Sequence, residues 1–125
     1  MKVFEKNYEY GNPILEKSFR FGIRIVKFYL LHIKDEYQIK DLFRQLLRSG
    51  TSVGANVAES QEASSTKDFI SKLTIALKEA RETEYWLKLL KESSVINEKE
   101  FISLITDCDE LIRLLISIIK KLKEK

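Results

Sequence analysis

The chain has 125 residues, 44% of them hydrophobic and 33% charged, which suits one soluble helical domain with an ordinary core. Its 22 basic and 19 acidic residues leave a formal charge of +3, an excess that matters only if it is gathered on one face. Cys108 is the single cysteine, which excludes an intrachain disulfide and a multi-cysteine zinc site; there is no signal-peptide pattern and no uninterrupted apolar run of ~18 residues to span a membrane, so a cytoplasmic setting is expected.

Residues 1–11 carry Phe4, Tyr8 and Tyr10 among charges and read as an N-terminal arm without a clear period. Asn12-Pro13 then reads as a helix cap followed by proline at the first helical position, where its missing N–H costs nothing. The spacing predicts a first helix to about Lys34 and a short connector over 35–38. A second helix is expected from Ile39 to about Gln61. Ser64-Ser65-Thr66 signals a loop, with Ser65 and Asp68 at capping-box spacing. A third helix runs to about Glu92, Ser93-Ser94 breaks it, and Asn97 with Glu100 caps a fourth that reaches nearly to Lys123. Long helices with short connections predict an all-α fold, an antiparallel up-down-up-down four-helix bundle forming a single domain over residues 1–125.

The first helix carries two apolar stripes. Leu15, Phe19, Gly22, Val26, Tyr29, Leu30 and Ile33 read as the core stripe, and Ile14, Phe21, Ile25 and Phe28 lie beside it. Together they cover an arc of roughly 200°, about twice what one core needs. Ile14, Phe21, Ile25 and Phe28 are therefore the expected subunit interface; the alternative is that the arm folds back over them. The remaining arc holds Lys17, Arg20, Arg24 and Lys27, spaced three, four and three apart and with no acid between Lys17 and Lys34. The second helix adds Lys40, Arg44 and Arg48 at i, i+4 and i+8, partly balanced by Asp41. A basic row without paired acids is the footprint of a phosphate-backbone binder, against the plainer reading of a solvated face. No aromatic residues interleave with it, so base-specific reading is not expected.

Within the second helix, Arg48 to Glu59 is a run of small residues. Gly50 and Gly54 each cost a helix interior roughly 1 kcal/mol against alanine, which predicts a seam where backbones approach closely. The run lacks the Lys-Ser/Thr of a phosphate loop. Asn56, Glu59 and Glu82 are expected to form a polar network between helices, because a near-core amide needs partners. A ferritin-like metal site needs Glu-x-x-His pairs, and the only histidine, His32, has Tyr29 three positions before it. Ser49, Thr51 and Ser52 have no histidine close in the pattern, and Cys108 lies on the core stripe without basic neighbours. No catalytic residue, metal or cofactor is expected.

The seam and the helix after it, Arg48-Ser-Gly-Thr-Ser-Val-Gly-Ala-Asn-Val-Ala-Glu59 and Asp68-Phe-Ile-Ser-Lys-Leu through Glu84-Tyr-Trp-Leu87, resemble the large-subunit ribosomal RNA intervening-sequence proteins. The resemblance covers nearly the whole chain, with residues 45–90 carrying it; many members have Pro where this chain has Gly54, and Gly where it has Ser60. It implies an antiparallel four-helix bundle that assembles as a pentamer. Similar accessory proteins of diversity-generating retroelements use a positive barrel to bind nucleic acid and a reverse transcriptase. The family supplies no agreed catalytic residues. The expectation is a non-enzymatic homo-oligomer, a pentamer, that binds RNA or DNA backbone through Lys17, Arg20, Arg24, Lys27, Arg44 and Arg48 or scaffolds a nucleic-acid enzyme. The alternative is a protein-interaction module without direct nucleic-acid binding.

Overall fold

The computed structural model describes residues 12–124, and every regular element among them is helical. Helix α1 spans Pro13–His32, opened by the Asn12 side chain accepting from the Leu15 amide at 3.3 Å and by proline in the first turn. A single 3-10 turn, Tyr37–Ile39, leads into α2, Lys40–Ser60. Helix α3 is Thr66–Glu92 and α4 is Glu98–Lys123. The two predicted caps differ in completeness. At α4 the box closes: the Glu100 amide donates to Asn97 Oδ1 at 2.8 Å and the Asn97 amide to Glu100 Oε1 at 3.2 Å. At α3 the Asp68 amide donates to Ser65 Oγ, but the Asp68 carboxylate accepts from the Ser64 amide instead of Ser65. Ser94, in the break between α3 and α4, takes a left-handed φ of 59°. The chain reverses there, with the Val95 amide donating back to the Leu90 carbonyl at 2.9 Å. The expected arm lies outside the described residues.

Each helix packs on the next, and α4 packs back on α1 more sparsely. The register is fixed by particular contacts. Ser18 meets Gly54 and Ile25 meets Gly50 between α1 and α2. Thr83 Oγ1 lies 2.8 Å from Ser49 Oγ, and Lys72 3.6 Å from Glu59, between α2 and α3. The Cys108 thiol donates to the Ala80 carbonyl, and Lys91 pairs with Glu98, between α3 and α4. Later residues of one helix thus face earlier ones of its neighbour, as the expected up-down order requires.

The small-residue seam is where α1 and α2 come closest. A Cβ on Gly50 would lie 2.8 Å from Ile25 Cγ1, and one on Gly54 would lie 3.0 Å from the Ser18 carbonyl oxygen. Both are shorter than ordinary carbon contacts, so the glycines are required by the helix spacing. Ser18, Ser49, Ser60 and Thr83 are buried with this seam, and their hydroxyls bond to carbonyls one turn back, so small polar residues enter the core without an unmet donor.

The core of α1 is not the stripe expected. Ile14, Phe21, Ile25 and Phe28, assigned from sequence to a subunit interface, are all buried inside the single chain together with Leu15, the most exposed of them being Phe28 at 7%. Phe19, Val26 and Leu30, assigned to the core, are 45%, 39% and 62% exposed, and Ile23 beside them 40%. The two stripes are similar in size and apolarity. At the glycine seam of α2, Gly50 receives the Ile25 side chain and Gly54 the α1 backbone at Ser18, so the stripe that holds Ile25 is the one turned inward. The extra apolar surface on α1 exists, but Phe19, Val26 and Leu30 of the expected core stripe, with Ile23, are what faces outward, while Leu15 is buried and Tyr29 and Ile33 pack partly buried against the core.

Candidate interaction surfaces

The rotation of α1 creates an apolar groove. With Ser18, Gly22, Thr51, Gly54, Ala55 and Ala58 all small, α1 and α2 are close at the floor. The larger Phe19, Ile23, Val26 and Leu30 stand along one side, with Lys27 at the rim. The trough has a volume of about 770 Å³. Such a continuous apolar surface, edged by a cation, is the form of a docking site for a helix or for another subunit.

The same rotation changes the basic row. At 100° per residue, Lys17, Arg20, Arg24 and Lys27 sit roughly 100° from the buried stripe and not opposite it. Several of them therefore reach the acids of α4. Lys17 pairs with Glu110 at 3.2 Å; Arg24 pairs with Asp107 and donates to the Ser103 carbonyl at 3.1 Å and to the Ser103 hydroxyl. Arg20 pairs with Glu16 at 2.8 Å, and Arg44 with Asp41 at 3.4 Å. Arg48 pairs with Glu79 at 2.9 Å and also with Glu82. The expectation of a row without paired acids is thus corrected: Glu16 lies one turn before Arg20 on α1 itself, α4 supplies Glu110 and Asp107 through space, and α3 supplies Glu79 and Glu82 to Arg48. Lys27 has no ion-pair partner among the described residues. These pairs lie at the surface and contribute little individually.

The expected network of Asn56, Glu59 and Glu82 is not brought together. Asn56 Nδ2 donates to the Ser52 carbonyl of its own helix at 2.8 Å, and Glu59 is exposed and faces Lys72. Glu82 instead joins Arg48, with Trp86 Nε1 donating to its carboxylate at 3.0 Å. The reason is register: Glu82 lies beside Arg48 on α2, two turns from Asn56. The Glu82–Trp86 spacing of four was the signal available in the sequence. His32 sits between Phe28 and Phe43, with ring centroids 4.5 and 5.5 Å away, and its Nε2 is 2.6 Å from Glu100 Oε2. Among the described residues no cluster of three or more His, Cys, Asp or Glu is placed to hold a metal ion, and no helix is long and apolar enough to cross a membrane.

The family model described as "23S rRNA-intervening sequence protein" matches residues 12–117, which takes in nearly the whole bundle. The chain belongs to this family. It is also similar to a solved structure from Bacteroides thetaiotaomicron, described as a protein of unknown function from the S23 ribosomal protein family. The identity is 48%, the match covers 86% of this chain and 98% of the other, and the TM-score is 0.81. No curated protein matches the chain.

In this intervening-sequence protein, the segment that identifies the family has a physical account. Gly50 and Gly54 set the α1–α2 distance, and Arg48 reaches across to Glu79 and Glu82 to fix α2 on α3. The Trp86 indole and the Arg48 guanidinium hold the Glu82 carboxyl below the usual carboxylate range, against the opposing effect of burial. A depressed folded-state pKa stabilises the protein above the unfolded value, and the contribution fades as pH falls through the folded value. Urea midpoints measured down through the acid range should therefore fall in the wild type. Glu82→Gln should flatten that part of the profile; an identical slope would remove Glu82 from it. Cys108 has no such role: burial pushes its thiol up to about 12, so it stays protonated and unreactive.

Proposed function

We propose that this intervening-sequence protein is a non-enzymatic, antiparallel up-down-up-down bundle that assembles with copies of itself through the α1/α2 groove. The assembly presents the α1 cations to a nucleic-acid backbone, RNA first. The observation that carries this reading is the groove: Phe19, Ile23, Val26 and Leu30 form one apolar face beside small residues, a surface that association would remove from water. A pentamer is the count that the family resemblance implies. Repeating the α1 face in every subunit would gather Lys17, Arg20, Arg24 and Lys27 into a larger positive surface. The surface carboxylate partners of Lys17, Arg20 and Arg24 exchange readily for phosphates, because exposed pairs contribute little. The family is named for an intervening sequence of 23S rRNA, so RNA is the first nucleic acid to test. Arg44 and Arg48 are secondary, since Arg48 already spans two carboxylates.

Each α1 cation that meets a phosphate should contribute about 0.9 unit to the slope of log affinity against log salt for a duplex, and somewhat less for a single strand. Arg20→Glu with Arg24→Glu should abolish RNA binding while light scattering reports the same assembly. Binding left intact would take this face out of the reading. A second reading, a protein-interaction module or scaffold for a nucleic-acid enzyme with no direct nucleic-acid contact, is favoured by one observation. Lys17, Arg20, Arg24, Arg44 and Arg48 all have carboxylate partners within the chain. A pull-down with and without nuclease separates the two, because a partner kept after digestion supports the second.

A further inference from the structure

We propose that a second cleft, between α1 and α4, docks an acidic, leucine-anchored helical segment of a partner protein. This cleft is separate from the α1/α2 groove. It has a volume of about 380 Å³ and an apolar floor of Phe28, Leu31 and Leu104. Leu31 is 68% exposed, so the floor has an uncovered apolar anchor point in addition to the buried sides of Phe28 and Leu104.

The rim decides the chemistry of the occupant. Lys27 from α1 and Lys99 from α4 both line the cleft, and neither has an ion-pair partner among the described residues. Two acids lie nearby, Glu100 in the lining itself and Asp107 beside Arg24. Glu100 accepts from the Asn97 amide at 3.2 Å and pairs with His32 at 2.6 Å. Asp107 is held by Arg24. Arg24, Lys27 and Lys99 thus outnumber the one carboxylate of the lining, Glu100, around an apolar floor, and the complementary ligand has a leucine-like side chain between carboxylates. Neighbours at i and i+4 on a helix supply that arrangement.

A nucleic-acid strand fits this cleft less well. Strand binding without sequence preference needs exposed aromatic faces on which bases stack. The one aromatic ring here, Phe28, is 7% exposed and packs on His32 and Phe43. Charge favours either ligand, but the aliphatic floor favours a protein side chain.

The test uses the full chain and a fluorescein-labelled helical peptide with leucines at i and i+4 flanked by glutamates, read by anisotropy at low and high salt. The peptide should bind and be released by salt. Lys99→Glu and Leu31→Ser should each weaken it about tenfold or more, the effect expected for losing one buried leucine or one rim charge. Lys99→Arg should retain binding. Leu31 and Lys99 are exposed and neither lines the α1/α2 groove, so circular dichroism and light scattering should match the wild type in every variant. That control separates this proposal from the assembly reading. The proposal is overturned if the peptide does not bind, or if its lysine-for-glutamate version binds equally. Binding that ignores Leu31→Ser and Lys99→Glu also overturns it. So does a uridine oligonucleotide that binds with the same dependence on these two residues.

Discussion

Gly54→Leu should destabilise the bundle by about 1–3 kcal/mol, the usual range for overpacking a close contact. The first carbon added would lie 3.0 Å from the Ser18 carbonyl oxygen and 3.3 Å from its carbon. Those atoms are backbone, so no side-chain rotation relieves the contact and the two helices must separate. The better helix propensity of leucine returns up to about 1 kcal/mol, which sets the lower end of the range. Gly22 gives the contrast. A Cβ there meets nothing nearer than the Thr51 Cα at 4.0 Å, so Gly22→Ala should gain up to about 1 kcal/mol. Urea unfolding of the two variants tests the seam as a pair. If both variants gain stability, propensity alone is operating and close packing at Gly54 is not.

On the proposed assembly through the α1/α2 groove, Val26→Arg combined with Leu30→Arg should give a folded monomer. Both residues are exposed in the single chain and line the α1/α2 groove, so the substitutions leave the core intact. Burying a valine or leucine side chain contributes about 1.5–3 kcal/mol, and a symmetric assembly loses that contribution in every subunit. Two guanidinium groups in the same trough add the penalty of an unpaired charge. Phe21→Arg or Ile25→Arg should behave differently: these side chains are 1% and 0% exposed, and the expected result is unfolding, not dissociation. Light scattering with circular dichroism distinguishes the outcomes. A wild-type monomer at micromolar concentration, or an assembly indifferent to the two arginines, would defeat the groove as an interface.

The legibility of this protein in its sequence depends on the range of the interaction concerned. Helix limits were readable because caps are local. Asn12-Pro13, Ser65 and Asn97 with Glu100 placed three helix starts, and Ser93-Ser94 marked a break that Ser94 makes with a left-handed turn. The glycine seam was readable because two glycines in an amphipathic helix cost stability unless another backbone approaches. The facing of α1 was not, since its two apolar stripes satisfy the same periodicity. That error carried into the charges. With the core stripe rotated, Lys17 and Arg24 point toward α4 and meet Glu110 and Asp107, residues more than eighty positions away in the chain. The partner of Glu82 was likewise mistaken by two turns of α2.

The amino-acid sequence by itself determined the helices, their order, the place of closest approach and the family, because each depends on propensity, capping or a contiguous pattern. It also determined that α1 has more apolar surface than one core can cover. Tertiary structure decided which stripe of α1 is core, which forms the groove and which cations have carboxylate partners. Those outcomes depend on how a shape on α1 fits the glycines of α2, and on charges brought together from distant parts of the chain, neither of which helical periodicity records.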